Sequence, residues 1–238
     1  LVFPNGGHDR PLRLEAGLHV GGEAVVHVLP DGQFILHPCD DVPILGSNSN
    51  GLLADHVGSL LRPQRVKDAR ARFAKGEITA AELQRVESLE IGKIVQKQKQ
   101  SGLRLATDGE LRRSWWHFDF LKHLGGCELH KTDGIQFNGM TTRGESIRVT
   151  GKLDFPAAHP MIEHFKLLKD KCDLAGILPK MTIPSPSVLH FRGGRKAIST
   201  DVYPDMDGYF EDLAKTYRKA VRAFYDAGCR YLQLDDTV

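Results

Sequence analysis

No run in this 238-residue chain approaches the roughly 18 consecutive apolar residues of a membrane-spanning helix, so the sequence predicts no membrane span. Cysteine is scarce: Cys39, Cys127, Cys172 and Cys229 lie far apart with no C-x-x-C pair. That spacing predicts reduced thiols and leaves no zinc-finger pattern. Charge of one sign is also missing. The formal net charge is +2, and basic residues are interleaved with acids, which argues against nucleic acid or an anionic membrane as a partner. Neither G-x-G-x-x-G nor G-x-x-x-x-G-K-[ST] occurs, so no phosphate loop is expected. The opening "LVFPNGGHDR" lacks the basic-then-apolar layout of a signal peptide, and with the reduced thiols this predicts a cytoplasmic protein. The chain begins at Leu1 rather than Met, so a fragment is expected.

What is present changes texture near residue 50. Residues 1–50 read as short strands separated by the turn signals Gly21-Gly22 and Pro30-Asp31-Gly32, with "ILGSNSNG" as a linker. This atypical stretch is set apart from residues 51–238, where long helical patterns alternate with short apolar strands as in βα units. "TAAELQRVESLEIGKIVQKQKQSG" has apolar residues at helical spacing, Thr79 and Glu82 as a capping box and Gly102 as a stop. It leads into the strand "LRLATDGE". Downstream, "YFEDLAKTYRKAVRAFYDAG" and "CRYLQLDD" repeat the order helix, Gly, Arg, apolar strand, acid. Further candidate strands are "GLLADHVGS", "ESIRVTGKL" and "AGILPKMTIPSP". The expected fold is α/β, a partial TIM barrel of about the first four to five βα units. In such sheets the carboxyl ends of the strands line the ligand site, which puts Glu110 and Asp235 at one pocket.

Three stretches could carry chemistry. "DHVGSLLRP" sets Gly58 and Ser59 before a helix entered near Gln64, a turn whose N–H groups suit a carboxylate or phosphate; the plainer reading is a turn with an N-cap. His56 beside it is either packed or catalytic. "TDGELRRSWWHFDF" crowds Asp108, Glu110, Arg112, Arg113, Trp115, Trp116, His117 and Asp119 into one loop. Two adjacent tryptophans cannot both enter one core from one strand, so at least one lines or covers a pocket; alternatively one anchors the loop and the arginines are solvated. Glu110 either contacts a ligand or pairs with Arg112 or Arg113. "KMTIPSPSVLHFRGG" supplies Ser185, Ser187, His190 and Phe191 ahead of a Gly193-Gly194 hinge, read as a mobile covering loop. "HPCDD" offers His37 and Cys39 as a metal pair only superficially; no other ligands accompany it, and metal binding is not expected there.

Taken in order, "ADHVGSLLRP", "TDGELRRSWWHFDF", "PKMTIPSPSVLHF" and "YLQLDDTV" resemble the catalytic domain of the cobalamin-independent methionine synthase family, in its short single-barrel, uroporphyrinogen-decarboxylase/methionine-synthase-like branch. The resemblance covers about residues 55–238. It implies a TIM barrel in which zinc binds the homocysteine thiolate and a methyl group passes to that sulfur from a folate or methylcobalamin donor. Coordination to zinc would deprotonate a thiol that is otherwise mostly protonated at neutral pH. By resemblance, Gly58 and Ser59 hold the amino-acid carboxylate, Glu110 and Asp235 its ammonium, and Trp115, Trp116 and Phe191 border the methyl donor, with Asp236 a structural neighbour of Asp235. The family's zinc ligands, a His-x-Cys pair, a Glu and a second Cys, would lie beyond Val238. The expectation is therefore the substrate-binding part of a truncated methyltransferase with no zinc bound to this chain and only small-molecule partners. The alternatives are a non-catalytic remnant or mis-assembled product, or another reaction of the same barrels such as tetrapyrrole decarboxylation.

Overall fold

The computed structural model describes residues 55–131, 144–191 and 193–236, and the backbone of 24–28, 34–38, 136–137 and 140–141. The elements, in chain order, are β1 (Ala24–Val28), β2 (Phe34–Pro38), α1 (Gln64–Ala74), α2 (Ala80–Gln100), β3 (Leu105–Ala106), α3 (Phe118–Leu121), β4 (Gly125–Lys131), β5 (Gln136–Phe137), β6 (Met140–Thr141), β7 (Glu145–Asp154), α4 (Pro160–Ala175), β8 (Leu178–Pro179), β9 (Met181–Pro184), α5 (Val188–Phe191), α6 (Met206–Asp226) and β10 (Leu232–Asp235). A 3-10 turn covers Gly194–Ala197. The turns expected at Gly21-Gly22 and Pro30–Gly32, the linker after Leu45, Cys39 and residues 51–54 of "GLLADHVGS" lie outside the described residues.

Three parallel strands organise the described residues. β3 pairs with β8, and β9, one residue further on, pairs with β10. α4 links β3 to β8 through the intervening hairpin, and α6 links β9 to β10. The helices form where their patterns predict. Thr79 and Glu82 make the full capping box of α2, and Gly102 follows its end with φ +85°. α6 buries Tyr209, Leu213, Tyr217, Val221 and Phe224 and leaves Phe210 only partly buried against the same cluster. α4 is a helix that the sequence reading did not single out. His159 caps it, Pro160 opens it where no N–H is needed, and Gly176 closes it in the left-handed conformation.

The period of two along the parallel strands separates two buried faces. Met181, Ile183, Leu232 and Leu234 join the larger apolar cluster with Phe165 of α4 and Tyr217 and Phe224 of α6. The alternate residues, Thr182, Gln233 and Asp235, are buried and polar. Each fully buried Leu, Ile or Phe contributes roughly 2–3 kcal/mol, so the apolar face fixes the sheet against the helices. The polar face is what remains to build a site.

"ESIRVTGKL" does form a strand, but not a parallel one. β7 pairs antiparallel with β4, with a register shift between Gly125 and Cys127. The reason is legible in burial: Ile147 and Val149 are buried while Arg148 and Thr150 are exposed, the alternation of a hairpin with one wet face. Residues 55–59 are not a strand either; they run as irregular chain across the polar face. Among the described residues the parallel ladder therefore has three strands, fewer than the four or five expected. β1 adds to the far edge of β10 antiparallel, with Ala24 opposite Leu234, and β2 pairs with β1.

Candidate active site

The segment Asp55–Gly58 crosses the polar face of the three parallel strands, and a residue in or next to each strand grips it. Lys180 Nζ, fully buried between β8 and β9, donates to the His56 carbonyl at 2.7 Å and to Asp55 Oδ2 at 2.7 Å. Gln233 Nε2 on β10 donates to the Val57 carbonyl at 3.1 Å. Thr107 Oγ1, just past β3, donates to the Gly58 carbonyl at 2.7 Å. Three consecutive carbonyls are thus bound by side chains from three strands. Gly58 has φ +141°, and a Cβ there would lie 2.9 Å from Thr182 Cγ2, so conformation and space both require glycine. Gly58 is buried and Ser59 is exposed at the start of the path to α1.

The second turn, Asp108–Glu110, leaves β3 through two left-handed residues, Gly109 at φ +64° and Glu110 at φ +57°. That conformation is unfavourable for glutamate by roughly 1–2 kcal/mol, and the surroundings enforce it. Asp108 Oδ1 accepts from the Glu110 N–H at 2.9 Å, and the Glu110 carbonyl accepts from the Arg113 N–H at 3.0 Å. Leu60 N–H donates to the Gly109 carbonyl at 3.1 Å, tying the two turns together. α1 and the segment leading into it hold the rest of the loop: Arg62, just before the helix, and Arg70, on it, both donate to the Arg113 carbonyl, and Arg70 also reaches the Leu111 carbonyl. The arginines of this loop are buried rather than solvated, with Arg112 bonded to Ser88 and facing Glu87.

Glu110 faces Arg113 and Thr182. Its Oε1 accepts from Arg113 Nη1 at 3.2 Å and from Thr182 Oγ1 at 3.5 Å. Arg113 in turn donates to the Thr182 carbonyl and the Trp116 carbonyl. Burial pushes the Glu110 carboxyl up from its ordinary value, and the Arg113 guanidinium opposes that rise. Asp235, buried at the end of β10, accepts from Gln233 Nε2 at 2.5 Å. Since Thr182 stands opposite Gln233 in the ladder and beside Gly58, the structure gathers Gly58, Glu110 and Asp235 around the Thr182–Gln233 pair. Asp236 accepts from the hydroxyls of Ser185 and Ser187 at 2.7 and 2.5 Å, which makes it the anchor of the "SPS" turn.

The aromatic residues lie further out. Trp115 is half-buried against the apolar cluster with its ring 5.5 Å from Phe118, and Trp116 packs on His117 at 4.6 Å. Phe191, at the end of α5, is 58% exposed. His56 is held by Gln98, Nε2 to Oε1 at 2.7 Å. The sequence reading missed Thr107, Lys180, Thr182 and Gln233. The available signal was a polar residue at alternate positions of otherwise apolar strands, as in "MTIP" and "LQL".

Among the described residues no group of three or more His, Cys, Asp or Glu could hold a metal ion. Burial pushes the thiols of Cys127, Cys172 and Cys229 up to about 12, so none is a ready thiolate ligand. The described residues do not fit a zinc site. No helix of the described residues is long and apolar enough to cross a membrane.

No family model matches the chain. It is 54% identical over 186 residues to the uncharacterized protein YxjH of Bacillus subtilis, covering 77% of this chain and 48% of YxjH. It is 51% identical over 187 residues to the uncharacterized protein YxjG of the same organism, with the same coverage. The chain thus spans about half the length of these curated relatives. Among solved structures it is similar to a protein of Listeria monocytogenes described as a proposed vitamin-B12-independent methionine synthase. That match has a TM-score of 0.62 and 44% identity and covers 78% of this chain and 52% of the other.

Proposed function

We propose that the chain is the amino-acid-binding part of a thiol methyltransferase of the cobalamin-independent methionine synthase type, built on part of a (β/α)8 barrel, with homocysteine as the methyl acceptor. The observation that carries this reading is the gathering of one anion-suited turn, Gly58–Ser59, and two buried carboxylates, Glu110 and Asp235, about a single strand pair. An α-amino acid presents one negative and one positive group on one carbon, and this arrangement offers the complement of each. The similarity to the Listeria protein supports the same class of reaction.

In this reading the N–H groups of the Gly58–Ser59 turn and the Ser59 hydroxyl receive the substrate carboxylate. The carbonyls of 56–58 are already committed to Lys180, Gln233 and Thr107, which keeps them turned from the anion. Glu110 and Asp235 receive the ammonium, with Thr182 and Gln233 fixing their rotamers. Trp115, Trp116 and Phe191 border a folate or methylcobalamin donor. Zinc, when bound, would hold the substrate sulfur as a thiolate, and by the sequence resemblance its ligands lie outside the described residues.

Calorimetric titration of the chain with L-homocysteine tests the proposal. Glu110→Gln and Asp235→Asn are each expected to weaken binding at least about tenfold, the loss of one charge-assisted hydrogen bond to a buried acceptor. Unchanged affinity in both variants would overturn the assignment.

A further inference from the structure

We propose that the Thr107 hydroxyl is a positioning group that sets the spacing between the Gly58–Ser59 turn and Glu110, and so selects ligands whose carboxylate and ammonium share one carbon. The proposal rests on the amino-acid reading of the site. Its geometry is independent of that reading. Thr107 Oγ1 donates its one proton to the Gly58 carbonyl at 2.7 Å and accepts from the Gly109 N–H at 3.1 Å. One oxygen therefore bridges the anion-suited turn and the residue that precedes the acid. A hydroxyl has one donor and can accept as well, so it satisfies both turns at once; a methyl in its place satisfies neither.

The bridge is itself held rigidly. Gln98 of α2 clasps both backbone groups of Thr107, its Oε1 accepting from the Thr107 N–H at 3.0 Å and its Nε2 donating to the Thr107 carbonyl at 2.9 Å. The same Oε1 meets His56 Nε2 at 2.7 Å, so α2 also fixes the approach to Gly58. Thr107 is 2% exposed and Gln98 5%, which removes competition from water. The Leu60 N–H to Gly109 carbonyl bond spans the same two turns without touching Thr107, and it reports whether their spacing holds.

Three proteins decide the matter: the wild-type chain, Thr107→Val, which keeps the shape and removes the hydroxyl, and Thr107→Ser, which keeps the hydroxyl and removes a methyl. Each is titrated with L-homocysteine and with 4-mercaptobutanoate, the same molecule without its amino group, and the Leu60 amide is followed by hydrogen exchange. Thr107→Val is expected to bind L-homocysteine about tenfold more weakly while its affinity for 4-mercaptobutanoate changes little, so that the preference for the amino acid collapses. Its Leu60 amide exchanges faster. Thr107→Ser behaves as wild type on both counts. The proposal is overturned if Thr107→Val retains the wild-type preference, or if Thr107→Ser loses as much as Thr107→Val. If the wild-type chain binds neither compound, the amino-acid reading fails by itself. The spacing role is then decided by the Leu60 amide, upheld by faster exchange in Thr107→Val alone and overturned by equal exchange in all three proteins.

Discussion

At the scale of single residues, the buried polar groups carry the account, and Lys180 is the most exacting of them. Its side chain is fully buried and its ammonium is shared between Asp55 and the His56 carbonyl, over the ring of Tyr231. A buried ammonium is tolerated only when its partners are in place, and removing one member of such a pair strands the other. Lys180→Met is expected to cost about 3 kcal/mol of stability, at the low end for buried pairs because Asp55 keeps 31% of its side chain in water. Chemical denaturation checks it; a change below about 0.5 kcal/mol, typical of surface positions, would contradict the role. Several candidate site residues are legible in the sequence because acids at the ends of apolar strands have few structural uses. Glu110 and Asp235 stand where that argument puts them. Glu110, however, meets Arg113 as well, the structural alternative read from the sequence. Which of Arg112 and Arg113 pairs with Glu110 depends on the turn at Gly109 and Glu110, and loop conformation has no periodic pattern to announce it.

At the scale of elements, capping and periodicity are the most readable features. α2 carries its capping box and stop in plain sequence, and α6 shows its buried stripe. α4 does not, because its N-cap is a histidine rather than Ser, Thr, Asp or Asn. His159 Nδ1 accepts from the Met161 N–H at 3.3 Å and Nε2 donates to the Phe120 carbonyl at 3.1 Å, so the imidazole is neutral with both nitrogens engaged. Burial pushes its pKa down to about 4 from the ordinary 6.5. Below 6.5 the unfolded chain takes up a proton that the folded chain refuses, so stability falls as pH drops from 6.5 toward 4 and levels off below that. The measurement is the melting temperature across pH 4 to 7.5 for wild type and His159→Asn, which keeps an N-cap acceptor. A decline shallower in the variant is expected; parallel curves would contradict it. Strand direction is less legible than helix ends. "ESIRVTGKL" reads as a strand, but its hairpin partner "GGCELHK" lacks a run of apolar residues, so the pairing that makes it antiparallel is not evident locally.

At the scale of the whole molecule, two faces of the same three strands do different work. The apolar face binds α4 and α6 and defines the fold; the polar face receives the Asp55–Gly58 segment and gathers the candidate site. The resemblance read from four ordered motifs agrees with the similarity to the Listeria structure at this scale. Sequence pattern shows the alternation but not which chain segment crosses the polar face, because that segment is irregular and its bonds run over 124 and 176 residues of separation. This polar face is proposed to bind an α-amino acid. Mapping of backbone amide shifts on addition of L-homocysteine tests it most directly. The largest changes are expected on Gly58, Ser59, Gly109, Glu110 and Asp235, with saturable dependence on concentration. Changes confined to other surfaces, such as the shallow cleft of about 420 Å³ between Phe155 and Arg222, or none at all, would contradict it.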